Sequence, residues 1–201
     1  MSELSYESPL AGVSAPQGLS ISIREIPDRG MIDLRGLTTD AAFMSAAHDA
    51  LGFALPTAPR SSASWGDVRV LWLSVDQWLI TTTTRAKAHE ILANLKAQLK
   101  GIHSLAVDVS DMRAVIRLEG DGCREVLMKG TSLDLLDPEY KPGCCRRMRY
   151  AEIAALLHVV EDTVFDVYVF RSYAHYTWNF ICATAKAPAK VKLFGKQDVP
   201  A

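Results

Sequence analysis

The sequence lacks the short patterns by which most cofactor and catalytic sites are recognised. It contains neither a P-loop nor a G-x-G-x-x-G turn, so no nucleotide or dinucleotide fingerprint is present. Its cysteines (Cys123, Cys144, Cys145 and Cys182) form no C-x-x-C pair, and its histidines are not spaced as metal ligands. Ser110 is not enclosed in a G-x-S-x-G elbow. We therefore expect no metal, cofactor or catalytic residue on this chain.

Charge and hydropathy exclude further classes. Lys and Arg number 22 against 23 Asp and Glu, a formal net charge of −1, so no imbalance points to nucleic acid or an anionic membrane. No apolar run approaches the roughly 20 residues of a membrane helix, and the start of the chain lacks the basic and apolar regions of a signal peptide. We expect a cytoplasmic protein with reduced cysteines that binds neither nucleic acid nor membrane.

What the chain does contain is an order of elements that occurs twice. "LSISIREI" and "GMIDLRG" alternate as strands, and "DAAFMSAAHDALG" is typical of a helix capped by Thr38 or Thr39. "VRVLWLS" and "WLITTTT" predict a hairpin, and "RAKAHEILANLKAQLKG" predicts an amphipathic helix. The second half repeats this order from the strand "MRAVIRLEG" to the helix "YAHYTWNFICATA", which Ser172 is expected to cap.

The spacing of corresponding residues supports a duplication. Gly36 and Gly120 stand 84 residues apart, and Pro56 and Pro142 stand 86 apart. The pattern predicts an α+β fold of two similar strand–helix–strand–strand–helix halves, with mostly antiparallel sheets covered by helices. We assign the halves to residues 19–103 and 104–186 of one domain, 19–186. Residues 1–18 are interpreted as an N-terminal arm outside the core, and residues 187–201 as a C-terminal tail.

Two groups of titratable residues qualify for a catalytic role and are better explained structurally. Asp108 and Asp111 in "VDVSD" are three positions apart, so in a strand they would face opposite sides, and we predict that they cap a turn. His158 lies inside an apolar strand and is predicted to be a paired core residue rather than a base.

Aromatic and arginine side chains near turns suit a subunit interface. Trp72 and Trp78 bracket the first hairpin and share one face on a period of two. Most aromatic residues of the second hairpin and last helix are expected in the core, and the arginines could equally be solvated surface residues. The residues predicted to bind a partner are Trp72, Trp78, Arg113, Arg147, Arg171 and Tyr173.

Longer motifs carry a family resemblance. "VDVSDMRAVIRLEGDGCREVL" followed by "LDLLDPEYKPG" resembles the aminomethyltransferase (glycine-cleavage T-protein) superfamily over about residues 104–185. Within that superfamily, more of the chain is similar to the gamma-subunit family of heterotetrameric sarcosine oxidase. The similar segments, in chain order, are "SPLAG", "IDLRG", "LGFALPTAP", "VLWLSVDQWLI", "VDVSDMRAVIRLEG", "VLMKGTSLDL", "KPGCCR" and "FDVYVFRSYAHYTW".

The resemblance implies a non-catalytic gamma subunit of a complex that oxidises sarcosine to glycine and hydrogen peroxide and passes the one-carbon unit to tetrahydrofolate. It implies that FAD, FMN, NAD and tetrahydrofolate bind the partner subunits. It also implies that this chain contacts the alpha subunit directly, with the beta and delta subunits completing the complex.

One departure from the superfamily bears on folate. Its folate-using members carry an acidic residue in the strand after the Pro-Gly loop, whereas "MRYAEIAALLHVV" offers only Glu152, at the edge of the apolar run. Folate chemistry is therefore not expected. The alternative hypothesis is an independent folate-binding protein of the same fold, with a pocket between the halves lined by Trp72 and Tyr168.

Overall fold

The computed structural model describes residues 6–186 as two five-stranded antiparallel sheets packed face to face, each covered on its outer face by two helices. The strands are β1 (Ser22–Glu25), β2 (Gly30–Arg35), β3 (Ser62–Trp65), β4 (Val68–Ser74), β5 (Gln77–Thr82), β6 (Leu105–Asp108), β7 (Arg113–Glu119), β8 (Cys145–Tyr150), β9 (Ile153–Glu161) and β10 (Val164–Phe170). The helices are α1 (Ala41–Leu51), α2 (Arg85–Gln98), α3 (Cys123–Met128) and α4 (Ala174–Thr184), the last preceded by a 3-10 turn at Arg171–Tyr173.

The first sheet has the order β3-β4-β5-β2-β6 and the second the order β1-β7-β10-β9-β8. Helices α1 and α2 cover the first sheet, and α3 and α4 cover the second. The alternation of the strands explains this layering, because successive side chains point alternately towards the helices and towards the opposite sheet. The predicted α+β fold of two similar halves is confirmed.

The two halves exchange their first strands. β1 comes from the first half and pairs with β7 in the second sheet, whereas β6 comes from the second half and pairs with β2 in the first sheet. Matching backbone hydrogen bonds extend each exchange: Ile26 N donates to Val115 O at 2.9 Å, and Val109 N donates to Met31 O at 2.9 Å. Each sheet is therefore completed by the other half of the chain.

Because of this exchange, each strand position in one half has a structurally equivalent position in the other half. Gly36 N donates to Asp76 O at 3.2 Å at the first hairpin turn, and Gly120 N donates to Thr163 O at 3.0 Å at the second. In β2 and β7, Asp33 is therefore equivalent to Arg117. Their partners across the ladder, Leu79 and Asp166, are equivalent to each other in the same way.

Local capping differs from the prediction at two helices. The N-cap of α1 is Asp40, whose carboxylate accepts from Ala42 N and Phe43 N, so the prediction of Thr38 or Thr39 was wrong. The N-cap of α4 is Tyr173 without a side-chain hydrogen bond, because the preceding 3-10 turn replaces the predicted Ser172 cap.

Two short edge strands, β3 and β8, lie in segments that the sequence patterns did not identify as strands. Residues 6–18 lie outside both sheets, but Leu10 is buried in the core of the second sheet, so this segment is not wholly outside the core. The predicted C-terminal tail, 187–201, and residues 1–5 lie outside the described part. Within residues 6–186, none of the helices has the length and apolar character needed to cross a bilayer.

Candidate functional site

The space between the two sheets is filled by an apolar cluster of buried side chains. Its members are Met31, Leu71, Leu73, Leu79, Val115, Cys145, Leu156 and Tyr168. Trp72 packs against this cluster, and Tyr168 has no exposed surface. The volume that the folate hypothesis assigned to a pocket lined by Trp72 and Tyr168 is thus occupied by the protein's own side chains.

A buried carboxylate lies at one end of this inter-sheet layer. Asp166 is 0% exposed, and its two oxygens accept hydrogen bonds from Arg117, at 2.6 Å from Nε and 2.9 Å from Nη2. Arg29, itself buried, lies 3.7 Å from the same carboxylate. The bond to Asp166 raises the pKa of Arg117. Because a bidentate arginine holds both oxygens, this carboxylate is a structural ion pair rather than a group presented to a ligand.

His158 and Ser62 form a pair that does not meet the requirements of a nucleophile and its base. Ser62 Oγ lies 3.3 Å from His158 Nε2 but donates its proton to Gly143 O at 2.8 Å. Burial lowers the pKa of His158 to about 3, which makes the imidazole a poor base. The Gly143 amide, a backbone donor beside this pair, already bonds to Val159 O at 2.9 Å. His158 is a buried core residue, as predicted.

Of the two carboxylates of "VDVSD", Asp108 caps a turn, as predicted, whereas the prediction was wrong for Asp111. Asp108 Oδ1 accepts from Ser110 N at 2.8 Å, and Ser110 Oγ in turn accepts from Met31 N at 2.9 Å, across the strand exchange. Asp111 bonds Arg85 at 2.7 Å instead. The two carboxylates therefore act separately, each fixing a different part of the exchanged strand β6 and its turn.

Each sheet also has one corner at the edge of its inner face where buried and exposed side chains meet, and the duplication makes the two corners comparable. The closed corner comprises Ser22, Arg24, Arg29, Arg117, Glu119 and Asp166, and the open corner comprises the equivalent residues Leu105, Val107, Arg113, Asp33, Arg35 and Leu79. The corners occupy the same place in the fold and differ in chemistry.

The closed corner neutralises its arginines internally. Arg29 and Arg117 share the buried Asp166, and Arg24 bonds Glu119 at 3.1 Å. Every charged side chain of this corner therefore has an opposite charge within the same chain.

The open corner lacks the equivalent carboxylate, because position 79 is leucine where the other half has Asp166. Within residues 6–186 the buried Nε of Arg113 has no hydrogen-bond partner, as is also true of the equivalent Arg29, and the Arg113 guanidinium lies 4.7 Å from the Phe170 ring centroid. Burial lowers the pKa of Arg113, which the charge of Asp33 partly opposes and that of Arg147 reinforces. Asp33 already accepts from Gln77 at 2.8 Å. This arginine is thus partly desolvated without a dedicated counter-ion.

Arg147 adds further positive charge at the open corner. It is exposed on the edge strand β8 and has no ion pair among the residues that the structure describes. It also lines a cleft of about 310 Å³ together with Trp72 and Val75.

The floor of the open corner is apolar. Leu105 and Val107 are 45% and 42% exposed, whereas their equivalents in the closed corner are Ser22 and Arg24. Ala106 between them packs towards the helices, so both exposed side chains project from the inner face. Exposed Leu37 and Val75 flank the same region and line clefts of about 290 and 310 Å³. Arg113 and Arg147, which border this floor, have no ion pair among the described residues. An exposed apolar floor bordered by such arginines is typical of a protein-binding surface.

The residues predicted to bind a partner separate into three locations. Arg113 and Arg147 lie at the open corner, with Trp72 beside them. Arg171 and Tyr173 line a different cleft with Met112, where the Arg171 guanidinium bonds Glu7 O.

Trp78 occupies the third location, the core, with 0% exposure. Its indole N–H donates to Pro56 O at 2.8 Å, and its ring packs 5.8 Å from that of Phe43. It has no surface to offer a partner in this conformation.

Sequence reasoning missed the buried ion pair and the apolar floor. An Asp in the middle of "VFDVYVF", facing an Arg in "AVIRLE", was the available signal for Asp166 and Arg117. Leu105 and Val107 carried no comparable signal, because an apolar residue at alternate strand positions ordinarily indicates burial.

Comparison with known proteins matches the chain to a protein family. Residues 35–187 match the model of the family described as sarcosine oxidase, gamma subunit family. No curated protein matches the chain significantly.

Among solved structures, a chain of heterotetrameric sarcosine oxidase from Corynebacterium sp. U-96 matches with a TM-score of 0.83 at 21% identity, covering 94% of this chain and 98% of that chain. Glycine cleavage system aminomethyltransferase T from Bartonella henselae matches with a TM-score of 0.60 at 13% identity, covering 84% of this chain and 47% of that chain. At these identities the structural matches establish a shared fold.

Proposed function

The chain belongs to the sarcosine oxidase gamma subunit family, and from this premise we propose that it is the non-catalytic gamma subunit of a heterotetrameric sarcosine oxidase. In this role it binds the alpha subunit directly, within a complex that also contains beta and delta subunits. The complex oxidises sarcosine to glycine and hydrogen peroxide and transfers the one-carbon unit to tetrahydrofolate. FAD, FMN, NAD and tetrahydrofolate bind the other subunits.

The observation that carries this proposal is the family match over residues 35–187, together with the chemistry of the inner layer. Both carboxylate oxygens of Asp166 accept hydrogen bonds from Arg117, and burial lowers the pKa of His158 to about 3. These two buried groups are thus committed to the fold, whereas the open corner exposes apolar side chains and arginine. This distribution favours assembly over catalysis.

The test is reconstitution. The tagged chain is co-expressed with the alpha, beta and delta subunits of the same organism, and the purified material is sized by light scattering. We expect this chain to co-purify with alpha in a stoichiometric complex that produces hydrogen peroxide from sarcosine. The chain alone is expected to produce none. Failure to co-purify with any of the three subunits would contradict the proposal.

The isolated chain is also titrated with tetrahydrofolate while tryptophan fluorescence is recorded. Partly exposed Trp72 lies beside the inter-sheet cluster and would report binding there. We expect no saturable change, because side chains fill that layer. Saturable micromolar binding would instead support an independent folate-binding protein of this fold.

A further inference from the structure

We propose that the open corner receives a carboxylate side chain from a partner subunit, on a segment whose apolar residues cover Leu105 and Val107. This inference rests on the proposed gamma-subunit function and adds where the partner binds and what it must supply. Its basis is the contrast between the two equivalent corners of one molecule.

The missing charge identifies the partner's polar group. At the closed corner, Arg29 lies 3.7 Å from Asp166, which the same chain supplies. Its equivalent Arg113 faces the side of the sheet where Leu79 replaces that aspartate. Among the described residues neither Arg29 nor Arg113 has a hydrogen-bond partner for its buried Nε, but only Arg29 has an ion pair. Arg147 lies close enough to Arg113 to lower its pKa further. Asp33, which Gln77 and Arg35 already contact, and Asp76 act on these two guanidiniums only from beyond ion-pair distance. A carboxylate from a partner could therefore pair with them directly.

The apolar floor identifies the rest of the partner surface. Ser22 and Arg24 make the closed corner polar, and Arg24 bonds Glu119 at 3.1 Å. Leu105 and Val107 at the same positions expose apolar area to solvent without such a bond. Covering that area stabilises a complex through the hydrophobic effect, and the surrounding arginines would fix the orientation of the bound segment.

The shape of the corner favours a protein segment over a small carboxylate. The exposed apolar residues follow strand β6 and the nearby turns rather than enclosing a cavity. The two flanking clefts are open and hold about 290 and 310 Å³. Small-molecule sites usually enclose most of their ligand, whereas strand faces of this kind are typical of subunit contacts.

The test compares variants within the co-expressed complex. Val107→Arg introduces the residue that the closed corner has at position 24, on an exposed side chain that can change without loss of fold. Arg113→Met removes the charge and keeps most of the side-chain length. Arg24→Ala, at the equivalent position of the closed corner, is the matched control. Circular dichroism and the thermal midpoint of each isolated variant verify that it is folded.

We expect Val107→Arg and Arg113→Met each to weaken association with the partner by about tenfold or more, as for residues central to an interface. Arg24→Ala should leave association unchanged. Arg113→Met should also reduce the dependence of association on salt, because one charge pair is lost.

Three results would overturn the inference. The first is a complex that forms normally with Val107→Arg, which would leave the gamma-subunit function intact and move the interface elsewhere. The second is a combination of two results: the isolated chain binds free glutarate and loses this binding in Arg113→Met, and Val107→Arg still assembles. This combination would make the corner a small-ligand site. The third is a loss of association in Arg24→Ala equal to that in Val107→Arg, which would show that the partner does not distinguish the two corners.

Discussion

Leucine in place of Asp166 would give the second half the residue that the first half has at position 79, and it would remove the counter-charge of two arginines. The side chains of Arg117 and Arg29 are only 18% and 10% exposed. Both guanidiniums would therefore remain in a layer that excludes most water. Removing one partner of a buried ion pair costs about 3–5 kcal/mol.

That penalty is a large fraction of the roughly 5–15 kcal/mol by which folded proteins are usually stable. For a chain of this size we expect the thermal midpoint to fall by roughly 6–20 °C. The free energy of unfolding is measured by urea titration at pH 7, with tryptophan fluorescence as the signal.

The double variant Asp166→Leu with Arg117→Met provides the decisive comparison. It removes both charged groups of the bidentate pair, and replacing a buried pair by apolar residues of similar volume is often neutral or stabilising. We expect it to recover most of the stability lost in the single variant, with Arg29 accounting for the remainder. A loss below about 1 kcal/mol in Asp166→Leu, or a double variant as unstable as the single one, would refute the reasoning.

Burial of titratable groups leads to two more predictions. The pKa of His158 falls from 6.5 to about 3 in the folded state, so the stability it contributes is complete above pH 6.5 and is lost as pH falls towards 3. We expect about 2 kcal/mol of that stability to be lost between pH 7 and 5. The variant His158→Leu introduces the residue found at the equivalent position 71. It should remove this dependence of the free energy of unfolding on pH, measured by urea titration. Burial raises the pKa of Cys145 to about 12, so we expect Ellman's reagent at pH 8 to leave this thiol unmodified until urea unfolds the protein. Rapid labelling of the native chain at Cys145 would contradict this.

Much of the fold could be predicted because the duplicated pattern is local. Gly36 and Gly120 follow equivalent strands, and each hairpin consists of apolar and β-branched runs around a short polar turn. Strand β3 was missed because it has four residues and only two of them, in "SASW", are apolar, and β8 was missed because the adjacent arginines of "CRRMRY" interrupt a period of two.

The strand exchange could not be predicted, because alternation identifies a strand without identifying its neighbour. β1 and β6 each pair with a strand of the other half, and only the three-dimensional packing selects that partner. The same limit applies to the candidate site. Arg113 and Arg147 were identified from composition, but their relation to Leu79 depends on knowing which positions of the two halves are equivalent.

The reciprocal exchange of β1 and β6 also affects how many partners the chain can bind at its two corners. Two identical copies of the half-unit related by a true twofold axis would present two identical corners and could bridge two partners. In one continuous chain the two corners have different sequences. Asp166 gives the arginines of the closed corner a counter-charge from the same chain, whereas the equivalent Leu79 gives none to the open corner. Among the described residues only one of the two corners therefore exposes an apolar floor, which suits a chain that binds one partner there rather than bridging two.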